Sequence, residues 1–274
     1  FFFYSSVKKK ERISYSYLII IEETLVVDGL GLIRKLYHPK INWVNGGDFN
    51  DLLESTRTFV NDFARHGFEL VIFFDGGTEE IKMNEYFRRK IRDLKRISDA
   101  LTFVSEHQSQ PTELFIPPLI IRDALVKCFQ SLGCQIYYSI GEADREMAMY
   151  CKTHNCFGVL GFDSDFFLFD IPRYLCSEHL ELSPTQLRVL IFLKPDILKH
   201  FNFTCVEELM LLGCLAGNDY VEQNQLDEFH LFVTNGGPVF DHRWQLIEKI
   251  ARFISKTKNE NFNWHPQGFF FKKI

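Results

Sequence analysis

The chain has 274 residues, 46% hydrophobic and 24% charged, which suits one α/β domain or one domain with a small appendage and allows a sizeable core. A formal net charge of -5 and a pI near 6.0 exclude a protein that coats nucleic acid or an acidic membrane with its whole surface, so a polyanion would have to meet a local basic patch. The 7 cysteines are irregularly spaced, which points to a reducing compartment, nuclear or cytoplasmic, and no apolar run reaches transmembrane length.

Residues 1–17 alternate aromatic, Ser and Lys without helical period and read as a disordered leader; beginning at Phe1, the sequence reads as a fragment or an imperfect gene model. From Leu18 to Val27 the residues are mostly Leu, Ile and Val, predicting a buried strand that ends at Asp28-Gly29. A helix can open at Leu30, and Asn45-Gly46-Gly47-Asp48 predicts a turn before a helix over about 50–66. Glu69 to Phe74 is a second strand, again ending in acid and glycine, Asp75-Gly76-Gly77.

A polar helix is predicted from Glu79 to Leu101, with Met83, Phe87, Ile91 and Leu94 as its apolar stripe. Lys82, Arg89 and Arg96 recur every two turns on one face, and Arg88, Lys90, Arg92 and Lys95 widen it into the strongest positive patch of the chain. Past a polar loop (105–111) and Pro117-Pro118, a helix (119–132), a strand (134–139), a helix entered at Gly141-Glu142-Ala143-Asp144 and a strand (157–161) follow. Phe166–Asp170 and Leu187–Leu193 read as further strands, and 195–201 and 204–216 as helices, the second with a Thr204/Glu207 capping box. Beyond Val221 only an amphipathic stretch at about 241–255 stands out. This order predicts an α/β fold with a central, mostly parallel sheet flanked by helices over 18–221, and a partial C-terminal extension over 222–274.

Asp28, Asp75, Glu142, Asp144, Asp163, Asp165 and Asp219 all fall where an element begins or ends. Gathered at the carboxyl end of a sheet they would repel one another strongly unless cations were present. Oxygen ligands suit Mg²⁺ or Mn²⁺, and two such ions ~4 Å apart serve phosphodiester hydrolysis. Each acid also has a plainer reading: a single Asp after a strand commonly caps a turn, and Asp144 suits a helix N-terminus. The basic helix can equally be a solvated charged face, or a phosphate contact through Lys82, Arg88, Arg89, Arg92 and Arg96. Cys151, His154 and Cys156 lack a fourth zinc ligand at a usual spacing, and Gly29-Leu30-Gly31 lacks the remaining glycine of a dinucleotide fingerprint. Asp163-Ser164-Asp165 after a strand also allows a haloacid-dehalogenase-like phosphatase, which leaves Asp28, Asp75 and Glu142 unexplained.

Val26-Val27-Asp28-Gly29, the run from Val71 to Gly77, Gly141-Glu142-Ala143-Asp144-Arg145-Glu146, Asp163-Ser164-Asp165-Phe166 and Gly217-Asn218-Asp219-Tyr220 resemble, in order, the acidic motifs of flap endonuclease and XPG-like nucleases. Gly46-Gly47-Asp48-Phe49, Pro118-Leu119-Ile120-Ile121-Arg122 and Asp165–Asp170 look like the Asteroid family within that superfamily. The resemblance covers about residues 22–221. It implies a PIN-like fold and a two-ion site cutting DNA at single-strand/double-strand junctions or overhangs. Asp28, Asp75, Glu142, Asp144, Asp163, Asp165 and Asp219 match its metal-site acids, and Lys82 and Arg89 its phosphate-contacting pair. The glycine-rich duplex-binding segment that follows the last acid in flap endonucleases is absent from 221–225. A catalytically weak PIN-like scaffold in signalling or repair assemblies is the alternative.

Overall fold

The structure, a computed structural model, describes residues 22–37, 41, 43–44, 47–78, 80–109, 111, 114–217, 223–236 and 243–257. The predicted leader and part of the first predicted strand therefore lie outside the described residues, as do Gly46, Asn218, Asp219 and Tyr220. The chain divides into two compact units that meet in sequence at Lys194 and Pro195.

The first unit is built on six strands: β1 (Glu23–Asp28), β2 (Phe68–Phe74), β3 (Gln135–Tyr138), β4 (Gly158–Gly161), β5 (Tyr174–Ser183) and β6 (Gln186–Phe192). They lie in the order β3-β2-β1-β4-β5-β6, parallel except for β6, which returns antiparallel to β5. Leu25, Val26 and Val27 are all buried, as are Val159 and Leu160. Such continuous apolar runs are what strands covered on both faces require.

Alternation sorts the side chains between the two faces. Leu25, Val27, Leu70, Ile72 and Phe74 join the large core, under α2 (Phe49–Arg65) and α4 (Ile121–Ser131), which pack on each other. On the other face, Phe73 meets Tyr150 of α5 (Ala143–Thr153), ring centroids 5.5 Å apart. A 3₁₀ turn, Leu30–Leu32, and the short α1 (Ile33–Leu36) follow β1. The predicted α/β architecture, a mostly parallel sheet flanked by helices, is thus present.

Several expectations need correction. Phe166–Asp170 forms no strand: the Asp163 carboxylate accepts the Asp165 amide at 3.1 Å and caps a 3₁₀ turn, Ser164–Phe167. The long helix α3 runs Met83–His107, beyond its predicted end and into the predicted loop, after a 3₁₀ turn at Glu80–Lys82. Its stripe covers no core, since Phe87, Ile91 and Leu94 are 54%, 66% and 65% exposed and every residue from 87 to 95 is exposed. β5 escaped the sequence reading because a bulge breaks its alternation.

The second unit carries four helices among the described residues: α6 (Lys194–Phe201, its first residue in the other unit), α7 (Val206–Ala216), α8 (Gln223–Val233) and α9 (Arg243–Thr257). α9 packs on both α7 and α8. His230 Nε2 lies 2.7 Å from the Leu215 carbonyl, and Ser255 donates to the Phe201 carbonyl at 3.1 Å. The capping box sits one residue later than predicted: α7 starts at Val206, so Glu208 and not Glu207 reaches back to the amides of Thr204 and Cys205.

Candidate metal centre at the carboxyl ends of the strands

β1, β2 and β4 are parallel neighbours, so their C-terminal residues emerge on one edge of the sheet, the usual ligand-binding edge of open α/β sheets. Asp28 is the last residue of β1, Asp75 follows β2, and Asp163 follows β4 beyond Phe162. Glu142 occupies the N-cap position of α5 and Asp144 stands in its first turn.

Backbone amides hold three of these carboxylates. Asp28 Oδ1 accepts from Leu30 N at 3.0 Å, Asp75 Oδ1 from Ala143 N at 2.7 Å, and Asp163 Oδ1 from Asp165 N at 3.1 Å. The glycines make this possible. A Cβ on Gly31 would stand 2.5 Å from Asp28 Oδ2, and one on Gly76 would stand 2.0 Å from the Ser139 carbonyl oxygen. Gly76 N instead donates to the Gly141 carbonyl (2.8 Å) and to Ser139 Oγ (3.0 Å), and Gly77 N to the Ile140 carbonyl (2.9 Å). The Ser139 hydroxyl in turn donates a hydrogen bond to the Gly141 carbonyl. The loop after β2 is thereby stapled to the loop that leads through Glu142 into α5 and Asp144.

The acids share one electrostatic field. Burial, reinforced by Asp28, Asp163, Asp75 and Asp165 in that order, pushes the Asp144 carboxyl up to about 8. Burial also raises Asp28 to about 6, with Asp75 and Asp163 adding to the rise against the Gly31 and Leu30 amides. Asp75 is raised by burial and by Glu142, against the pull of the Ala143 amide, Arg122 and Lys82. A set of oxygen donors that raise one another in this way fits a hard divalent cation. The carboxylates do not close on one point: among the described residues, the trio with ligand atoms within 4.8 Å of one another is Cys176, Glu178 and His179.

The predicted basic face is divided. Lys82 is buried at 6% exposure, and its Nζ lies 2.6 Å from Glu142 Oε2, so it belongs to the acidic end and not to a solvated face. Arg88, Arg89 and Arg92 are exposed on α3 within 3.8, 4.0 and 2.8 Å of the Glu85 carboxylate. Arg96 approaches Asp93 at 3.7 Å and donates to the Phe115 carbonyl at 3.1 Å. Arg122, which the sequence reading left without a role, donates to the Asp75 carbonyl from the first turn of α4. Its sequence signal is its place at the end of the Asteroid-like segment Pro118-Leu119-Ile120-Ile121-Arg122. Cys151 and His154 are engaged elsewhere, the thiol 3.9 Å from the Cys156 carbonyl and the imidazole stacked on Tyr150 at 3.9 Å.

The fold is that of the flap endonuclease and XPG nuclease cores. Similar solved structures include the catalytic core of Rad2 in complex with DNA substrate (TM-score 0.52, 17% identity, 90% of this chain and 76% of that one). Flap endonuclease-1 from Methanococcus jannaschii matches at a TM-score of 0.50 and 13% identity, over 87% of this chain and 74% of that one. The Holliday junction-resolving enzyme GEN1 in complex with product DNA and Mg²⁺ matches at 0.52 and 14%, over 90% and 55%.

In sequence the chain is distantly homologous to a different set of names. It is 31% identical over 243 residues to the human constitutive coactivator of peroxisome proliferator-activated receptor gamma, across 85% of this chain and 26% of that protein. The Bos taurus protein of the same name is also 31% identical, with 34% of its length covered. The Mus musculus constitutive coactivator of PPAR-gamma-like protein 1 is 23% identical over 210 residues, across 75% of this chain and 19% of that protein. The chain thus spans only about a quarter to a third of the first two relatives. No family model matches it.

Proposed function

We propose that this chain is the nuclease domain, over about residues 18–221, of a divalent-metal-dependent, structure-selective nuclease of the Asteroid type that hydrolyses phosphodiester bonds in branched or overhanging DNA inside the cell. The observation that carries this reading is the gathering of strand-end acids at one edge of the sheet, where backbone amides fix Asp28, Asp75 and Asp163 and burial with four neighbouring aspartates raises the Asp144 carboxyl. Such a cluster is relieved by protonation, by a paired ammonium such as Lys82, or by multivalent cations.

Asp28, Asp75, Glu142, Asp144, Asp163 and Asp165 would hold Mg²⁺ or Mn²⁺, two ions in all. Bound there, the ions would supply charge neutralisation at phosphorus and a more acidic water. The protein's own part is positional: the Gly76 and Gly77 amides lock the Asp75 loop to the Glu142 loop, and Arg122 fixes the Asp75 carbonyl. Lys82 and Arg89 would steady the scissile phosphate. Arg88, Arg92 and Arg96 would meet the flanking strand through its phosphates.

A second reading, a PIN-like scaffold, draws support from the Lys82–Glu142 pair, which already neutralises part of the site, and from relatives named as coactivators. The deciding experiment is Mn²⁺-dependent cleavage of end-labelled flap, overhang and single-stranded DNA by the chain and by an Asp163→Asn, Asp165→Asn double variant. Cleavage lost in the variant supports the nuclease. Equal cleavage by both, or none by a folded parent chain, rejects it.

A further inference from the structure

The bulge in β5 brings together chemistry that the acidic centre does not use. Cys176 pairs with Leu190 of β6, and the next matched pair is Glu181 with Arg188. Residues 177–180 therefore stand opposite Val189 alone. In a regular strand Cys176 and Glu178 would face one side and His179 the other. Here the irregular backbone leaves Cys176 Sγ, a Glu178 carboxylate oxygen and an His179 ring nitrogen all within 4.8 Å of one another.

We propose that this bulge is a metal site for Zn²⁺ or a similar borderline-soft ion, held by Cys176, Glu178 and His179 with solvent completing the coordination. Sulfur, imidazole and carboxylate are the three donor types that protein zinc sites draw on, and three protein ligands plus water is a common arrangement. The hard ions suited to the acidic centre gain little from a thiolate, so the two sites sort metals by softness.

Access and charge agree with this assignment. Cys176 is fully buried and His179 Nε2, 3.8 Å from Glu178 Oε2, is shielded from solvent, so an ion would reach the trio past the Glu178 side chain, which is 39% exposed. Lys35, whose Nζ donates to the Leu180 carbonyl at 2.7 Å, shares the field of Cys176 and Glu181. Binding replaces the S–H bond by an S–metal bond and releases that proton to solvent. None of the three ligands belongs to the acidic centre, and the proposal stands whether or not the chain cuts DNA.

The test is a Co²⁺ titration of the 274-residue chain in excess Mg²⁺, which occupies carboxylate sites. The expected result is one equivalent of Co²⁺ showing intense low-symmetry d–d absorption and a thiolate-to-cobalt charge-transfer band. Both should vanish on adding Zn²⁺ and persist in the Asp163→Asn, Asp165→Asn variant. His179→Gln, at a partly exposed position that spares the buried thiol, should lower Zn²⁺ affinity at least about tenfold and erase the band, as should Cys176→Ser. A cobalt spectrum without a thiolate band, or a band undiminished in folded His179→Gln, overturns the assignment.

Discussion

The acidic sheet edge and the basic helix α3 hold opposite charges in opposite ways. At the edge, backbone amides fix Asp28, Asp75 and Asp163, and burial makes each further charge costly. On α3, arginines stand in water and turn to acids of their own helix, Glu85 and Asp93. Charges of the first kind have fixed positions and poor solvation, while charges of the second kind are well solvated and adaptable. Lys82 alone of the predicted basic set crosses from one class to the other.

The comparison breaks most sharply if the fixed charges prove dispensable. The Asp163→Asn, Asp165→Asn variant is expected to lose all Mn²⁺-dependent cleavage while keeping its circular dichroism spectrum. Lys82→Met is expected to lower the cleavage rate by about a hundredfold with little loss of DNA binding, measured by single-turnover kinetics beside a binding isotherm.

Smaller effects sharpen it. Gly76→Ala forces a methyl group against the Ser139 and Ile140 carbonyls and should destabilise the chain by about 1–3 kcal/mol in urea melts. Asp144 binds its proton up to about pH 8 when folded and only up to about pH 4 when unfolded. The folded state therefore holds the extra proton across that window, and metal-free stability should fall as pH rises through it. Asp144→Asn should flatten this dependence and stabilise the metal-free chain at pH 8 by on the order of 2 kcal/mol, read from melts across pH. Arg92→Gln should change stability by less than about 0.5 kcal/mol, yet reduce the salt slope of DNA binding by about 1.

The sequence made the strand-end acids legible because β1, β2 and β4 carry the apolar runs Leu25–Val27, Leu70–Phe74 and Val159–Leu160, and the polarity of alternating strands and helices puts their ends on one edge. It could not reveal that Lys82 folds back onto Glu142 sixty residues away, or that Arg122 braces the Asp75 carbonyl, since both depend on how the loops after β2 and β3 meet. β5 was hidden by its bulge, and α7 was misplaced by one residue because its cap is Cys205, outside the residues that usually mark helix starts. The apolar stripe Phe87, Ile91, Leu94 was legible as a helical face but its exposure was not, because periodicity reports that a helix is amphipathic and not what covers it.

That uncovered helix also behaves as a gauge. A 25-residue helix is about 37 Å long, and with residues 87–95 uncovered its amides open largely on their own terms, unprotected by the core. Deuterium uptake along this segment should be fast in the isolated chain. Any ligand that lies along it, polyanion or protein, should register as slowed uptake there, with β1 and β2 unchanged.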